Sequence, residues 1–325
     1  MRDGFSTRPR REIGIFLILV ALLSAPFYVV LFTDRAWSNT TSHLFMYVPA
    51  VAALVTTRRE LGFRFGRPRH YAIAYAVPIA FVVPTYLLTW LFGLGAFDST
   101  RLASMSASYH VPRAAIAVLA IIAAPLGIVN TFGEELGWSG LLTQRLTTIT
   151  TFTRASLIRG VIWSVWHYPL VIVLLPRYRP QLPIVYGLAC MTVAVTSISF
   201  VYTWLRIASG SIWPAALLHA ASSNFQDLFE ALTKNTGRTP YITYEYGAGF
   251  AVILIVIALI FRSIAPRTGD PDAMEPAARV VAGDPERAGA GRIAPGPFDQ
   301  DHAGTRRPRG DIGGARRERN ADGDE

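Results

Sequence analysis

PIVYGLACMTVAVTSISFVYTWL, residues 183–205, carries no charged side chain along its whole length. A helix rises about 1.5 Å per residue and a bilayer core is roughly 30 Å thick, so about 20 mostly apolar residues make one crossing. Seven further segments of similar character lie between charged or turn-forming residues, at 13–32, 43–55, 71–97, 113–132, 156–175, 212–232 and 246–261. The segment at 43–55 is short. The first follows basic residues as a signal peptide does, but it is long and no A-x-A site follows, so it reads as a retained anchor. Over the whole chain 51% of residues are hydrophobic, 16% are charged and the mean hydropathy is +0.33, which excludes an ordinary soluble globule of 325 residues. The expected fold is all-α, a polytopic membrane helix bundle of about eight transmembrane helices.

The charges divide the chain. The formal net charge is +9, yet from residue 263 onward there are 10 Arg against 12 Asp and Glu, so the basic excess belongs to the apolar part. Arginines close to membrane segments stay on the cytoplasmic side. Arg2, Arg8, Arg10 and Arg11 precede the first segment, and Arg58, Arg59, Arg64, Arg67 and Arg69 follow the second. Arg145 and Arg154 after the fourth and Arg206 after the sixth agree, whereas Arg177 and Arg179 fall on the opposite side. Three regions result: a basic cytoplasmic N-terminus at 1–12, a transmembrane domain at 13–262, and a cytoplasmic tail at 263–325. The tail is rich in Gly, Pro, Arg and Asp and poor in core-forming residues, so disorder is expected there. Its mixed charge argues against nucleic-acid binding, and the chain has no Gly-rich phosphate loop. Cys190 is the only cysteine and lies in an apolar run, which rules out a disulfide within the chain and a cysteine metal site.

Ionisable groups inside spanning segments are costly and therefore functional candidates. Glu134 and Glu135 end the fourth segment in TFGEELGWSG, residues 131–140; His167 lies in VIWSVWHYP, 161–169, and His219 in WPAALLHAASSN, 213–224. From the cytoplasmic side His167 lies about 16 Å deep and His219 about 12 Å deep at 1.5 Å per residue, while the fourth segment runs the other way and reaches that side near Glu134. The groups can therefore converge. A glutamate pair at a helix end is commonly solvated or ion-paired, and a buried histidine can simply bond a neighbouring helix. Matched depth favours shared chemistry. Adjacent residues sit about 100° apart on a helix, so one carboxylate acts while the other supports. A Glu poised as general base can take a proton from water attacking a peptide carbonyl, and His with an amide or hydroxyl donor can stabilise the oxyanion. Glu134, His167 and His219 can equally be read as ligands of one Zn2+ with an open position for water. His43, His70, His110 and His302 are expected at the surface.

In this order the segments resemble the CPBP family of intramembrane metalloproteases, which comprises CAAX prenyl endopeptidases and bacterial relatives linked to bacteriocin maturation and immunity. The resemblance spans about 121–229. Glu134-Glu135-Leu136-Gly137-Trp138-Ser139-Gly140 matches a motif usually written E-E-L-G-W-R-G; Trp163 and His167, with Pro169 behind, match an aromatic residue ahead of His. His219 matches a third motif, with Ser223 where Asn or a similar polar residue is usual and Asn224 one place later. The resemblance implies a helical bundle with a cavity open to cytosol and bilayer, and either a metal or a metal-free glutamate mechanism. It implies that Glu134 and His167 activate water, that Glu135 supports them, and that His219 with the following polar residue forms the oxyanion site. Ser139 replaces the motif's Arg, for which Arg145 or Arg154 is the expected substitute. On a regular helix Ser223 shares the face of His219, whereas Asn224 lies about 140° away.

The expected function is hydrolysis of membrane-associated or prenylated, CAAX-type peptides in the plasma membrane, with lipids and lipidated peptides as partners. An inactive or immunity-type scaffold is the alternative that Ser139 favours. A proton-coupled transporter would show inverted repeats, and the sequence has none. A reporter fused after Phe261 should read as cytoplasmic; an external signal would overturn the orientation and the depth argument with it.

Overall fold

The computed structural model describes residues 3–33 and 37–265, and side chains from Thr7. His302 and nearly all of the tail expected at 263–325 lie outside the described residues.

Apolar runs become helices because a backbone away from water must bond to itself. In chain order the helices are α1 (Asp3–Thr33), α2 (Asn39–Met46), α3 (Val48–Thr56), α4 (Pro68–Leu91), α5 (Ser99–Ser108), α6 (Arg113–Leu126) and α7 (Ile128–Glu135). A π-helical segment, Leu136–Thr143, continues α7 into α8 (Gln144–Ile149), and α9 (Phe152–Tyr178), α10 (Ile184–Ser209), α11 (Trp213–Ala231) and α12 (Ala248–Ser263) follow. Two three-residue strands, β1 (Gly95–Phe97) and β2 (Thr233–Asn235), pair antiparallel with Ala96 opposite Lys234. Among the described residues five helical stretches are long and apolar enough to cross a membrane, at Thr7–Thr33, Pro68–Leu91, Arg113–Ile149, Phe152–Tyr178 and Ile184–Ser209. The expected count of about eight is not reached by that measure. The segment at 43–55 is split into α2 and α3 at Tyr47, with Pro49 opening α3, and α12 has only 16 residues. The glutamate pair does not end its helix, which runs on through π winding to Ile149.

Each outer helix divides its apolar residues between two faces. On α1, Phe16, Val20 and Leu31 are buried while Ile18, Leu22 and Val29 are exposed; on α12, Phe250 and Leu254 are buried while Val252, Val256 and Leu259 are exposed. Apolar side chains on the outside suit lipid rather than water.

Segments expected on one side of the membrane gather at one end of the bundle. Arg145 bonds Glu12 at 2.5 Å and Glu60 at 2.7 Å, Arg206 donates to the carbonyls of Glu60 and Ser139, and the Ile212 N–H donates to Gly62. At the other end Tyr86 reaches Glu230, Thr239 reaches Leu94, and Tyr186 reaches Tyr241. Arg179 also lies here, paired with Glu230 at 2.8 Å and placed over the Tyr244 ring, which gives this out-of-place arginine a structural reason. His43 and His110 are exposed as expected, but His70 is buried, with Trp204 edge-on at 6.1 Å. Its helix starts at Pro68 beneath the loop containing Gly66, so the ring turns inward.

Helix α10 packs between α9 and α12, and α11 packs on α4, α6 and α7. At Gly160 the α9–α10 approach is so close that a Cβ would lie 2.4 Å from the Thr196 Cα. Gly160→Leu should therefore lower thermal stability of the detergent-solubilised protein by about 1–3 kcal/mol or more. Gly14, with nothing within 4 Å, provides the control: Gly14→Leu should leave stability nearly unchanged. Equal effects would contradict the packing.

Candidate active site

The site begins where α7 passes into π winding. Gly137 lies so close to α3 that a Cβ would meet the Pro49 Cβ at 2.4 Å, and this close approach holds the helix at the bundle centre. π-bulges recur at functional sites because the extra residue re-aims side chains. Glu134 and Glu135 are both buried, and as adjacent helical residues they diverge. Glu134 Oε2 accepts from the indole N–H of Trp163 at 2.7 Å and that of Trp138 at 3.3 Å. Glu135 accepts from Ser139 Oγ at 2.5 Å and from Arg159 Nη2 at 3.2 Å, and it meets His219 Nδ1 at 3.1 Å.

Arg159 and Glu135 form an ion pair with no exposed side-chain surface on either partner. The guanidinium lies 4.6 Å from the Trp163 ring centroid and 4.2 Å from that of Tyr202, and its Nη1 donates to Ser199 at 2.9 Å. Aromatic faces and hydrogen bonds thus compensate part of the desolvation of this cation.

The His167 Nδ1 lies 3.1 Å from the Trp163 carbonyl. A carbonyl only accepts, so Nδ1 carries the proton and Nε2 is left as an acceptor. Trp163 is therefore a junction: its N–H holds Glu134, its carbonyl holds His167, and its ring stands 5.3 Å from that of His219. Both histidines, with Trp163, Ser223 and Gln226, line a cavity of about 100 Å³. Asn224 turns away and donates to the Ala120 carbonyl on α6 at 2.8 Å. Helix α11 is regular here, and the polar group on the His219 face is Ser223.

Of the residues singled out from sequence, the structure brings Glu135 onto His219, links Glu134 to both histidines through Trp163, and leaves Asn224 outside. Of the expected substitutes for the motif arginine, Arg145 is spent on Glu12 and Glu60, and Arg154 is exposed. Arg159 instead delivers a guanidinium to Glu135 from α9, one of the expected spanning segments. As an ionisable residue inside such a segment it met the criterion that singled out the glutamates.

Among the described residues no three His, Cys, Asp or Glu side chains form a group able to hold a metal ion. The donor set has been taken up otherwise, since Glu134 Oε2 is committed to two indoles and Glu135 to Arg159, Ser139 and His219. As arranged, Glu134, His167 and His219 do not fit a zinc centre.

Residues 113–225 match the family described as type II CAAX prenyl endopeptidase Rce1-like. Over 107 residues the chain is 31% identical to a protein of Methanococcus maripaludis named CAAX prenyl protease 2; that stretch is 32% of this chain and 38% of the relative.

Removing one partner of a buried pair leaves an uncompensated charge and costs about 3–5 kcal/mol. Arg159→Met should lower stability by that order in thermal unfolding of the solubilised protein, and Glu135→Gln added to it should restore a large part. Additive losses would show that the pair is not coupled.

Proposed function

We propose, from the match of residues 113–225 to the Rce1-like type II CAAX prenyl endopeptidase family, that the chain is a multi-pass intramembrane endopeptidase acting on membrane-associated or prenylated, CAAX-type peptides. The observation that carries this reading is the junction at Trp163, which bonds the buried Glu134 through its N–H and His167 through its carbonyl, while Trp163, His167 and His219 line one cavity. In the proposed fold α2–α3, α11 and α12 supplement the five long spans to give about eight crossings. Both termini, with the basic residues of 1–12 and the tail at 263–325, face the cytoplasm, and the membrane is the plasma membrane.

In the proposed reaction Glu134 is the general base. With Oε2 held by two indoles, Oε1 takes a proton from water that His167 Nε2 helps to orient. The water oxygen bonds to the peptide carbonyl carbon, and the carbonyl oxygen becomes an oxyanion. His219, held through Nδ1 by Glu135, turns Nε2 toward the cavity, and doubly protonated it donates to that oxyanion together with the Ser223 hydroxyl. Collapse breaks the C–N bond while the proton on Glu134 passes to the leaving amine. Glu135 and Arg159 do not touch substrate in this scheme; they fix the position and charge of His219. Because Arg159 reaches Glu135, the serine at 139 no longer favours an inactive scaffold.

Glu134→Gln and His167→Ala should each reduce cleavage by about 10²-fold or more with insertion intact. Unchanged proteolysis by either purified variant would remove that residue from the mechanism. Ser223→Ala should lower kcat on the order of 10²-fold, the usual effect of losing an oxyanion donor. Asn224→Ala should leave kcat nearly unchanged and cost about 1 kcal/mol of stability through the lost bond to Ala120. The reverse order of kcat effects would mean that α11 rearranges to bring Asn224 to the substrate.

A further inference from the structure

One polar group of the cavity has no task in the reaction just described. Gln226 is 8% exposed, lines the cavity that holds His167, His219 and Ser223, and has a buried Oε1 with no hydrogen-bond partner in the structure. Its neighbour Ser222 is satisfied, donating to Leu218 at 2.6 Å. A buried acceptor without a donor opposes folding, so its retention beside a cavity points to a donor brought by a ligand.

Position defines that ligand. Gln226 follows His219 by seven residues, almost two full helical turns, so the two share one face of α11 about 10.5 Å apart, with Ser223 between them. An extended peptide advances about 3.3 Å per residue, and three residues cover the same distance. Most of the wall contributed by other helices is apolar, with Phe81 of α4, Met191 and Ile198 of α10, and Leu254 of α12, and Glu245 also lines the cavity. A peptide laid along α11 from the oxyanion site would therefore bring a backbone N–H to the Gln226 oxygen and an aliphatic side chain to that wall.

We propose that Gln226 is a substrate-positioning residue: its amide oxygen receives the backbone N–H of the peptide residue three places from the scissile bond, and the wall opposite selects an apolar side chain there. The assignment rests on the endopeptidase reading. It adds a subsite to the reaction and a reason for the polar stripe His219, Ser223, Gln226 on one face of α11.

N-methylation of single peptide bonds in a synthetic substrate tests it, with the full chain in liposomes. On the parent protein, methylation of the amide three residues from the cleaved bond, on one side of it, should raise KM about 10-fold with kcat nearly unchanged. Gln226→Leu should show the same KM increase on the unmethylated peptide and no further loss on the methylated one. Gln226→Glu, which keeps an acceptor, should retain the parental discrimination. Equal methylation penalties in parent and Gln226→Leu, or a parental KM in Gln226→Leu, would overturn the proposal while leaving the endopeptidase reading in place. Failure of the parent to cleave any membrane-inserted peptide would overturn that reading, and the subsite with it.

Discussion

The ion pair between Arg159 and Glu135 is the constraint around which the bundle interior is arranged. Two charges without exposed surface cannot be left apart, because each alone in a low-dielectric interior would be far more costly than the pair. Meeting that condition fixes four helices. Glu135 comes from the end of α7, Arg159 from α9, the Ser199 and Tyr202 partners of the guanidinium from α10, and the His219 partner of the carboxylate from α11. The glycines at 137 and 160 let the backbones come close enough for these short side-chain contacts, against α3 and α10 respectively. Stability and site geometry are therefore one problem in this protein, because the pair that holds the helices also holds the histidine.

Trp163 connects that pair to Glu134 and His167. Its ring takes the Arg159 cation on one face, its N–H takes Glu134, and its carbonyl sets the His167 tautomer. Three kinds of interaction from one residue mean that displacement of α9 would disturb both carboxylates and both histidines together. This division of labour explains how two adjacent glutamates can differ in role: Glu135 is saturated by Arg159, Ser139 and His219, whereas Glu134 has one oxygen held by neutral donors.

Much of this was legible in the sequence, because burial in a membrane leaves a strong record. Uncharged runs of helical length mark the long helices, and the rarity of Glu and His inside them points to residues that the fold gathers around Trp163. Three features resisted. Arg159 replaces the motif arginine from a different helix, and a partner on another helix has no sequence spacing to reveal it. The burial of His70 depends on how the loop before α4 folds over it, which hydropathy does not record. The π winding after Glu135 changes which side chains align without changing the apolar pattern that predicts a helix. Helical periodicity left Ser223 and Asn224 both open, because a local bulge would bring Asn224 round to the His219 face; α11 is an unbroken α-helix, and Asn224 bonds to Ala120 instead.

The likeness to the Methanococcus maripaludis protein covers 32% of this chain and 38% of that relative, and the family match at 113–225 runs from α6 into α11, across both members of the buried pair. The central claim is that this buried cluster cuts peptide bonds in membrane proteins. Mass spectrometry of membrane-protein termini in cells making either the parental chain or Glu134→Gln at equal levels addresses it most directly. The account predicts new termini, adjoining apolar or lipidated segments, that are present with the parental chain and lost with the variant; identical sets of termini in the two cells would contradict it.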